Sequence, residues 1–413
     1  MISLIEALNY RSLRYVRQPL SPFQILIGPN GSGKTALLEV PSFLAHLIEL
    51  GLELAMGGDD RLAIPLRATD ARQLLWKQQG QLFELAVECP IPATQQVCRY
   101  ELAIDAVASS IVAENLLVIP RGDHKPRPPL DVFPSPRTIP STILVNPHGS
   151  LPTGWTKVIG RNQPARATFS AETSNWQTTR KIQAGRTALA SLPDDPERFP
   201  VACWFRDRLI GQMHRLVLSG EHMRLPCSSS RQRGFRADGS NLPWVLHRLQ
   251  QNPARFAQWL VHLQDALPEF RSFSTVFREE EHHRYLTARA TEDLALPSWL
   301  LSDGTLRLLA LTLLAYVDDL SGGSYLIEEP ENGIHPKAME SVFQSLSSVY
   351  NAQILCATHS PVLISLASPA QLLCFAKTPD GRTDVIQGDQ HPVLRDWQRR
   401  IDLETLFASG VLG

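Results

Sequence analysis

The chain has 413 residues, enough for two to three structural units at roughly 150 residues each. With 43% hydrophobic and 20% charged residues it can bury a substantial core, which excludes a disordered, collagenous or membrane-spanning polypeptide. Forty Lys and Arg against 41 Asp and Glu leave a net charge of -1, so global charge argues for neither nucleic acid nor membrane, although residues 121–240 carry 18 basic and 9 acidic side chains.

In chain order, residues 2–5 (ISLI) and 23–27 (FQILI) are short apolar runs, and the second stops at Gly28 as a buried strand does on entering a loop. Leu37, Leu38, Phe43, Leu44, Leu47 and Ile48 then mark one face of a helix over 36–50, disturbed only by Pro41. The runs FELAV, CRYELAI and SSIVAENLLVI between 82 and 119 predict an antiparallel layer beside this first unit. From 120 to 200 proline, serine, threonine and arginine dominate, and the frequent proline predicts an insertion of loop character. Helical periodicity resumes near Phe199 and over 241–267, where Trp244, Leu246, Leu249, Phe256, Leu260 and Leu263 are spaced for a buried face. In the last third, residues 301–316 read as a loop and a buried helix, 325–327 as a strand ending in acid, 336–350 as a helix, and 353–357 as a strand ending at Thr358 and His359. Strands alternating with helices indicate an α/β fold, with a parallel sheet and chemistry at its strand ends.

Six cysteines are scattered without a C-x-x-C pair, so buried reduced thiols are expected. The first ten residues lack the features of a secretory signal, and no apolar run reaches 18 residues; a cytoplasmic protein is expected. There is no sustained heptad pattern and no internal repeat.

Three motifs carry chemistry. Gly28-Pro-Asn-Gly-Ser-Gly-Lys34-Thr35 fits G-x-x-x-x-G-K-[ST], and it follows a strand and opens a helix, as that pattern requires. Its backbone N–H groups at Asn30, Gly31, Ser32 and Gly33 would converge on phosphate oxygens at a helix N-terminus, with Lys34 on the β- and γ-phosphates and Thr35 on Mg2+. Glu328 and Glu329 stand where a buried strand ends; one acid suits a metal and the other an attacking water, and the expected roles are metal for Glu328 and water for Glu329. His359, at a neighbouring strand end, is placed to sense a γ-phosphate.

The phosphate loop, then Leu301-Ser-Asp-Gly-Thr305, LIEEPENGIHP and ATHSP, together resemble the motif series of ABC-type ATPases. More narrowly they resemble the SMC, RecF and OLD-like branch and its stand-alone AAA_21-type members, and Gly239-Ser-Asn-Leu-Pro-Trp-Val-Leu is similar to a segment recurrent there. The resemblance covers about 1–115 and 235–380 and implies a P-loop NTPase fold, a mixed sheet flanked by helices with an antiparallel β layer. The resulting division is an N-terminal ATPase lobe (1–118), a basic insertion (119–240), a C-terminal lobe (241–385) and a tail (386–413). It further implies ATP and Mg2+, and a homodimer in which Ser302 and Gly304 of one copy contact the γ-phosphate held by the other. Two departures stand out: Glu328 occupies the position where most ABC proteins have Asp, and His335 falls where their D-loop usually ends in Asp.

Transport is not expected, because the signature loop is not LSGGQ and no membrane segment is found; chromosome-scale bridging would need coiled coils, and the 54 residues after His359 are too few for a TOPRIM nuclease. Two function classes follow. One is an ATPase acting on DNA or RNA, in repair or anti-phage defence, with a separate nuclease or effector. The other is a nucleotide-gated scaffold that holds or releases a toxin-like effector. Arg161, Arg166, Arg180, Lys181, Arg186, Arg224, Arg231, Arg233 and Arg236, with Trp155 and Trp176 for stacking, favour the first.

Overall fold

A computed structural model describes every residue except 60–63, 123–126, 129, 136, 146–150, 229–233, 318–322, 396–402 and 413. A hairpin of β1 (Leu4–Tyr10) and β2 (Leu13–Pro19) leads into β3 (Phe23–Ile27), α1 (Lys34–Leu50) and α2 (Leu52–Gly57). The strands β4 (Leu82–Pro90), β5 (Gln96–Asp105), β6 (Ser110–Pro120), β7 (Thr156–Gln163), β8 (Arg166–Ser170) and β9 (Gln177–Lys181) follow. Next come α3 (Pro200–Gly211), β10 (Met213–Leu216), α4 (Gly220–Arg224), β11 (Cys227–Ser228), α5 (Leu242–Gln250) and α6 (Pro253–Gln264). Then β12 (Phe270–Arg278), β13 (His283–Ala290) and β14 (Ala295–Pro297) form a small antiparallel sheet with β11. The last third holds α7 (Asp303–Leu313), β15 (Ser324–Glu328), α8 (Met339–Ser347), β16 (Gln353–Ala357), α9 (Pro361–Leu366), β17 (Leu372–Lys377), β18 (Thr383–Gln387), α10 (Pro392–Arg395) and α11 (Leu403–Ala408).

The central sheet runs β10-β15-β16-β3-β17-β18, parallel throughout except for the antiparallel β18 at one edge. Its inner strands are continuous apolar runs because both faces are covered. Leu26, Leu326 and Leu355 face α1, whereas Tyr325, Ile327 and Ile354 join a second core with α5, α7 and α8. An antiparallel sheet, β2-β1-β4-β5-β6-β7-β8-β9, packs on the other side of α1. Thirteen of the 17 residues of α1 are therefore buried, and Leu37, Phe43, Leu44 and Leu47 each contribute about 1.5–3 kcal/mol by leaving water. That burial outweighs the roughly 3 kcal/mol by which Pro41 disfavours a helix interior.

Among the described residues, 121–155 hold no helix or strand, as a loop-like segment should, but residues 156–181, expected to share that character, and 213–216 beyond them join the two sheets. β7 to β9 extend the antiparallel layer, with Ile159 opposite Phe169 in the core, and β10 is an edge strand of the central sheet. The prolines are the reason for the difference: Pro164 sits between β7 and β8, Pro193 and Pro196 in a connection, and Pro200 in the first turn of α3, all positions that need no backbone donor. All six cysteines are buried and unpaired. Among the described residues no helix is long and apolar enough to cross a membrane.

Candidate functional site

The phosphate loop is shaped by two glycines. Gly28 leaves β3 at φ 141, where a Cβ would lie 2.2 Å from the Phe375 carbonyl oxygen of β17. Gly33 caps α1 at φ 111, where a Cβ would lie 2.4 Å from Thr383 Oγ1. Thr383 in turn donates its hydroxyl proton to the Ser32 carbonyl at 2.8 Å, so β18 fixes the loop from beneath. Asn30 and Gly31 are exposed at its rim, and Ser32 is buried with a hydroxyl that has no partner. The loop thus forms a cradle at the N-terminus of α1, the arrangement that suits an anion.

Lys34 Nζ donates to the Gly28 and Pro29 carbonyls at 2.7 and 3.1 Å. Burial pulls its ammonium from 10.5 down to about 8, against the opposing pull of Glu329, Glu328 and Glu331. Thr35 donates its hydroxyl proton to Glu328 Oε2 at 2.7 Å, which joins the start of α1 to the end of β15. Glu329 adopts φ 48, uncommon for a residue with a Cβ, and its N–H reaches the Ala357 carbonyl at 2.8 Å. This turn lifts its carboxylate out of the strand toward solvent, where Asn332 donates to Oε2 at 2.7 Å. His359 follows β16, and its N–H is held by Glu331 Oε1 at 2.8 Å. Burial and the Lys34 charge lower the His359 pKa, against the opposing pull of Glu329 and Glu331, which favours the neutral ring.

Gly31, Asn30, Gly33, Lys34, Thr35, Glu328, Glu329 and His359 line one cavity of about 360 Å³. Arg11, Ser12 and Glu39 line it too, and sequence motifs gave no sign of them. Arg11 sits in the turn between β1 and β2 at φ 50 and pairs with Glu39 at 2.6 Å; buried Arg67 pairs with the same carboxylate at 3.0 Å. Among the described residues no group of three or more His, Cys, Asp or Glu could hold a metal alone. Thr35 and Glu328 supply two adjacent oxygens, which fits Mg2+, a cation that keeps several waters and takes its other ligands from phosphate.

Ser302 and Gly304 do not line this cavity. Ser302 caps α7 by accepting the Thr305 N–H at 3.1 Å, and Gly304 packs so tightly that a Cβ would lie 2.1 Å from the Gly333 carbonyl oxygen. The signature loop therefore rests on the turn that follows Glu329, with Asp303 paired to Arg224 at 2.5 Å. His335 acts locally as well, its Nδ1 accepting the Lys337 N–H at 3.2 Å.

The basic residues separate into two groups. Arg161 is fully buried beside Glu114 and donates to the Arg186 carbonyl at 2.6 Å, so it serves the fold. Arg186, Arg224 and Arg236 are half-buried, Trp176 packs edge-on to Phe199, and Trp155 covers an apolar cluster on the antiparallel sheet. Arg166, Arg180 and Lys181 are exposed, and Arg231 and Arg233 lie outside the described residues. A groove of about 470 Å³ on the outer face of β7, β8 and β9 is lined, among the described residues, by Lys157, Arg166 and uncharged side chains, with no carboxylate.

Residues 155–365 match the family model AAA_21, described as "AAA domain, putative AbiEii toxin, Type IV TA system". That stretch holds the signature, both acids and His359 and begins downstream of the phosphate loop. No curated protein matches the sequence. Of the solved structures, the SmcHead bound to the C-winged helix domain of ScpA aligns with a TM-score of 0.52 and 12% identity, over 93% of this chain and 96% of that one. The Smc head domain with an extended coiled coil, bound to the C-terminal domain of ScpA derived from Pyrococcus furiosus, gives 0.49 and 12%, over 93% and 95%. The first likeness shows the fold, a P-loop NTPase of the SMC-head kind.

Proposed function

The chain belongs to the AAA_21 family, and on that premise we propose that it is a magnesium-dependent ATPase that closes as two copies around ATP. The observation that carries this reading is the convergence of Lys34, Thr35, Glu328, Glu329 and His359 on one cavity from α1 and the ends of β15 and β16. The loop amides and the N-terminus of α1 receive the phosphates, and Lys34 exchanges its two carbonyl partners for phosphate oxygens. Magnesium, which Thr35 and Glu328 would hold, would supply neutralisation of the triphosphate's negative charge. Glu329 takes a proton from water as the water oxygen bonds to the γ-phosphorus; the bond to the bridging oxygen breaks and ADP leaves with its electron pair. His359 donates a hydrogen bond to the γ-phosphate. Ser302 and Gly304 open a helix away from their own cavity, which supports a role at the phosphate of a second copy.

The ATPase cycle is proposed to drive a nucleic-acid-linked process in repair or anti-phage defence, with a separate nuclease or effector. The groove on β7 to β9, cationic and free of carboxylates among the described residues, supports that contact. A nucleotide-gated regulator of a toxin-like effector is the second reading, favoured by the toxin–antitoxin wording of the family description. Turnover and nucleotide retention test the first step: Lys34→Ala abolishes both, whereas Glu329→Gln abolishes turnover and keeps ATP bound through gel filtration. Normal hydrolysis by Glu329→Gln would remove Glu329 from its role. Binding of a single-stranded oligonucleotide that weakens steeply with salt favours the nucleic-acid reading, and no binding at low salt favours the regulator.

A further inference from the structure

Glu328 already has two partners. Oε2 accepts the Thr35 hydroxyl proton at 2.7 Å, and Oε1 pairs with a terminal nitrogen of Arg215 at 2.8 Å. Arg215 belongs to β10, whose register sets it opposite Leu326 of β15. Partnered residues of neighbouring strands project to the same face, and so do residues two apart, so Arg215, Leu326 and Glu328 all stand on the side of α1. The pair is about three-quarters buried, 27% and 26% exposed, so water screens it only partly. Two guanidiniums nearby, those of Arg67 and Arg11, pair with Glu39.

We infer that Arg215 is a positioning residue, the built-in counter-ion of Glu328, which ties metal binding to nucleotide binding. The inference rests on the nucleotide reading above. Thr35 offers a neutral hydroxyl and Glu328 a carboxylate whose charge Arg215 offsets, so the two together attract a free divalent cation weakly. A triphosphate supplies the missing negative charge, and the cation is then taken up with its nucleotide. The guanidinium also holds the carboxylate with Oε2 facing Thr35, the edge that the metal needs. Because coupling is reciprocal, the factor by which nucleotide tightens metal binding equals the factor by which metal tightens nucleotide binding.

The test uses the full chain and Mn2+, whose free concentration is read by electron paramagnetic resonance, with and without ATP. Arg215→Met is expected to bind Mn2+ about tenfold more tightly than wild type without nucleotide, with a correspondingly smaller enhancement by ATP. Arg215→Lys keeps the charge and stays near wild type. Should Arg215→Met lose its cooperative melt, Arg215→Gln carries the same expectation. Unchanged or weaker Mn2+ binding in the folded neutral variant, with a fluorescent ATP analogue still binding in EDTA, overturns the inference alone. A wild-type chain that binds neither the analogue nor Mn2+ with ATP overturns the nucleotide reading itself.

Discussion

Lys34 gives the site a pH dependence with a definite sign. In the nucleotide-free chain its ammonium is buried and titrates at about 8, where only carbonyl oxygens and more distant carboxylates sustain the charge. A bound triphosphate places negative charge against Nζ and restores the protonated form over the whole accessible range. ATP binding therefore takes up a proton wherever the free lysine is neutral. At pH 9 only about one free molecule in eleven carries the charge, so affinity is expected to fall about tenfold, or about 1.4 kcal/mol, relative to pH 7. The triphosphate itself is fully ionised across most of this interval and adds little. Isothermal titration calorimetry in two buffers of different ionisation enthalpy reads the proton directly, with about half a proton taken up per ATP at pH 8. An affinity that is flat between about pH 7 and about pH 9.5, with no proton uptake, would refute the electrostatic account of Lys34.

The same depressed lysine costs the empty protein stability: the penalty is present in full below about pH 8 and vanishes as pH rises through 10.5, at order of magnitude about 3 kcal/mol. Lys34→Met is expected to raise the denaturation midpoint of the nucleotide-free chain near pH 7, and a lowered midpoint would contradict this. Glu39→Ala leaves buried Arg67 and half-buried Arg11 without their shared carboxylate and should cost about 3 kcal/mol in urea denaturation; a loss under about 1 kcal/mol would mean that water replaces Glu39. Gly28→Ala drives a Cβ into the Phe375 carbonyl and is expected to abolish ATP binding and lower the urea midpoint, whereas Gly57→Ala, with nothing within 4 Å, leaves both unchanged.

What the sequence made legible was local. A phosphate loop bounded by strand and helix, two acids at one strand end and a histidine at the next are consecutive patterns, and Lys34, Thr35, Glu328, Glu329 and His359 from those patterns line one cavity. Arg11, Glu39 and Arg215 were not legible, because each is a lone residue whose partner lies 28 to 113 positions away, and whose meeting depends on the packing of α1 for Arg11 and Glu39 and on sheet register for Arg215. Proline density misdirected the reading of 156–200, though not of 121–155: composition averages over turns, while the KVIG and RATFS runs retain enough alternation to pair as strands. Charge counting had the same weakness, since it cannot separate Arg161, spent inside the fold, from Arg166 and Lys181 on its surface.

In the proposed cycle two copies share each ATP. Sedimentation equilibrium of Glu329→Gln with ATP and Mg2+ tests it most directly: a dimer is expected with nucleotide and a monomer without, and adding Ser302→Arg should return the mass to that of the monomer while ATP remains bound. A monomer at saturating ATP, or a dimer indifferent to both nucleotide and Ser302, would contradict it.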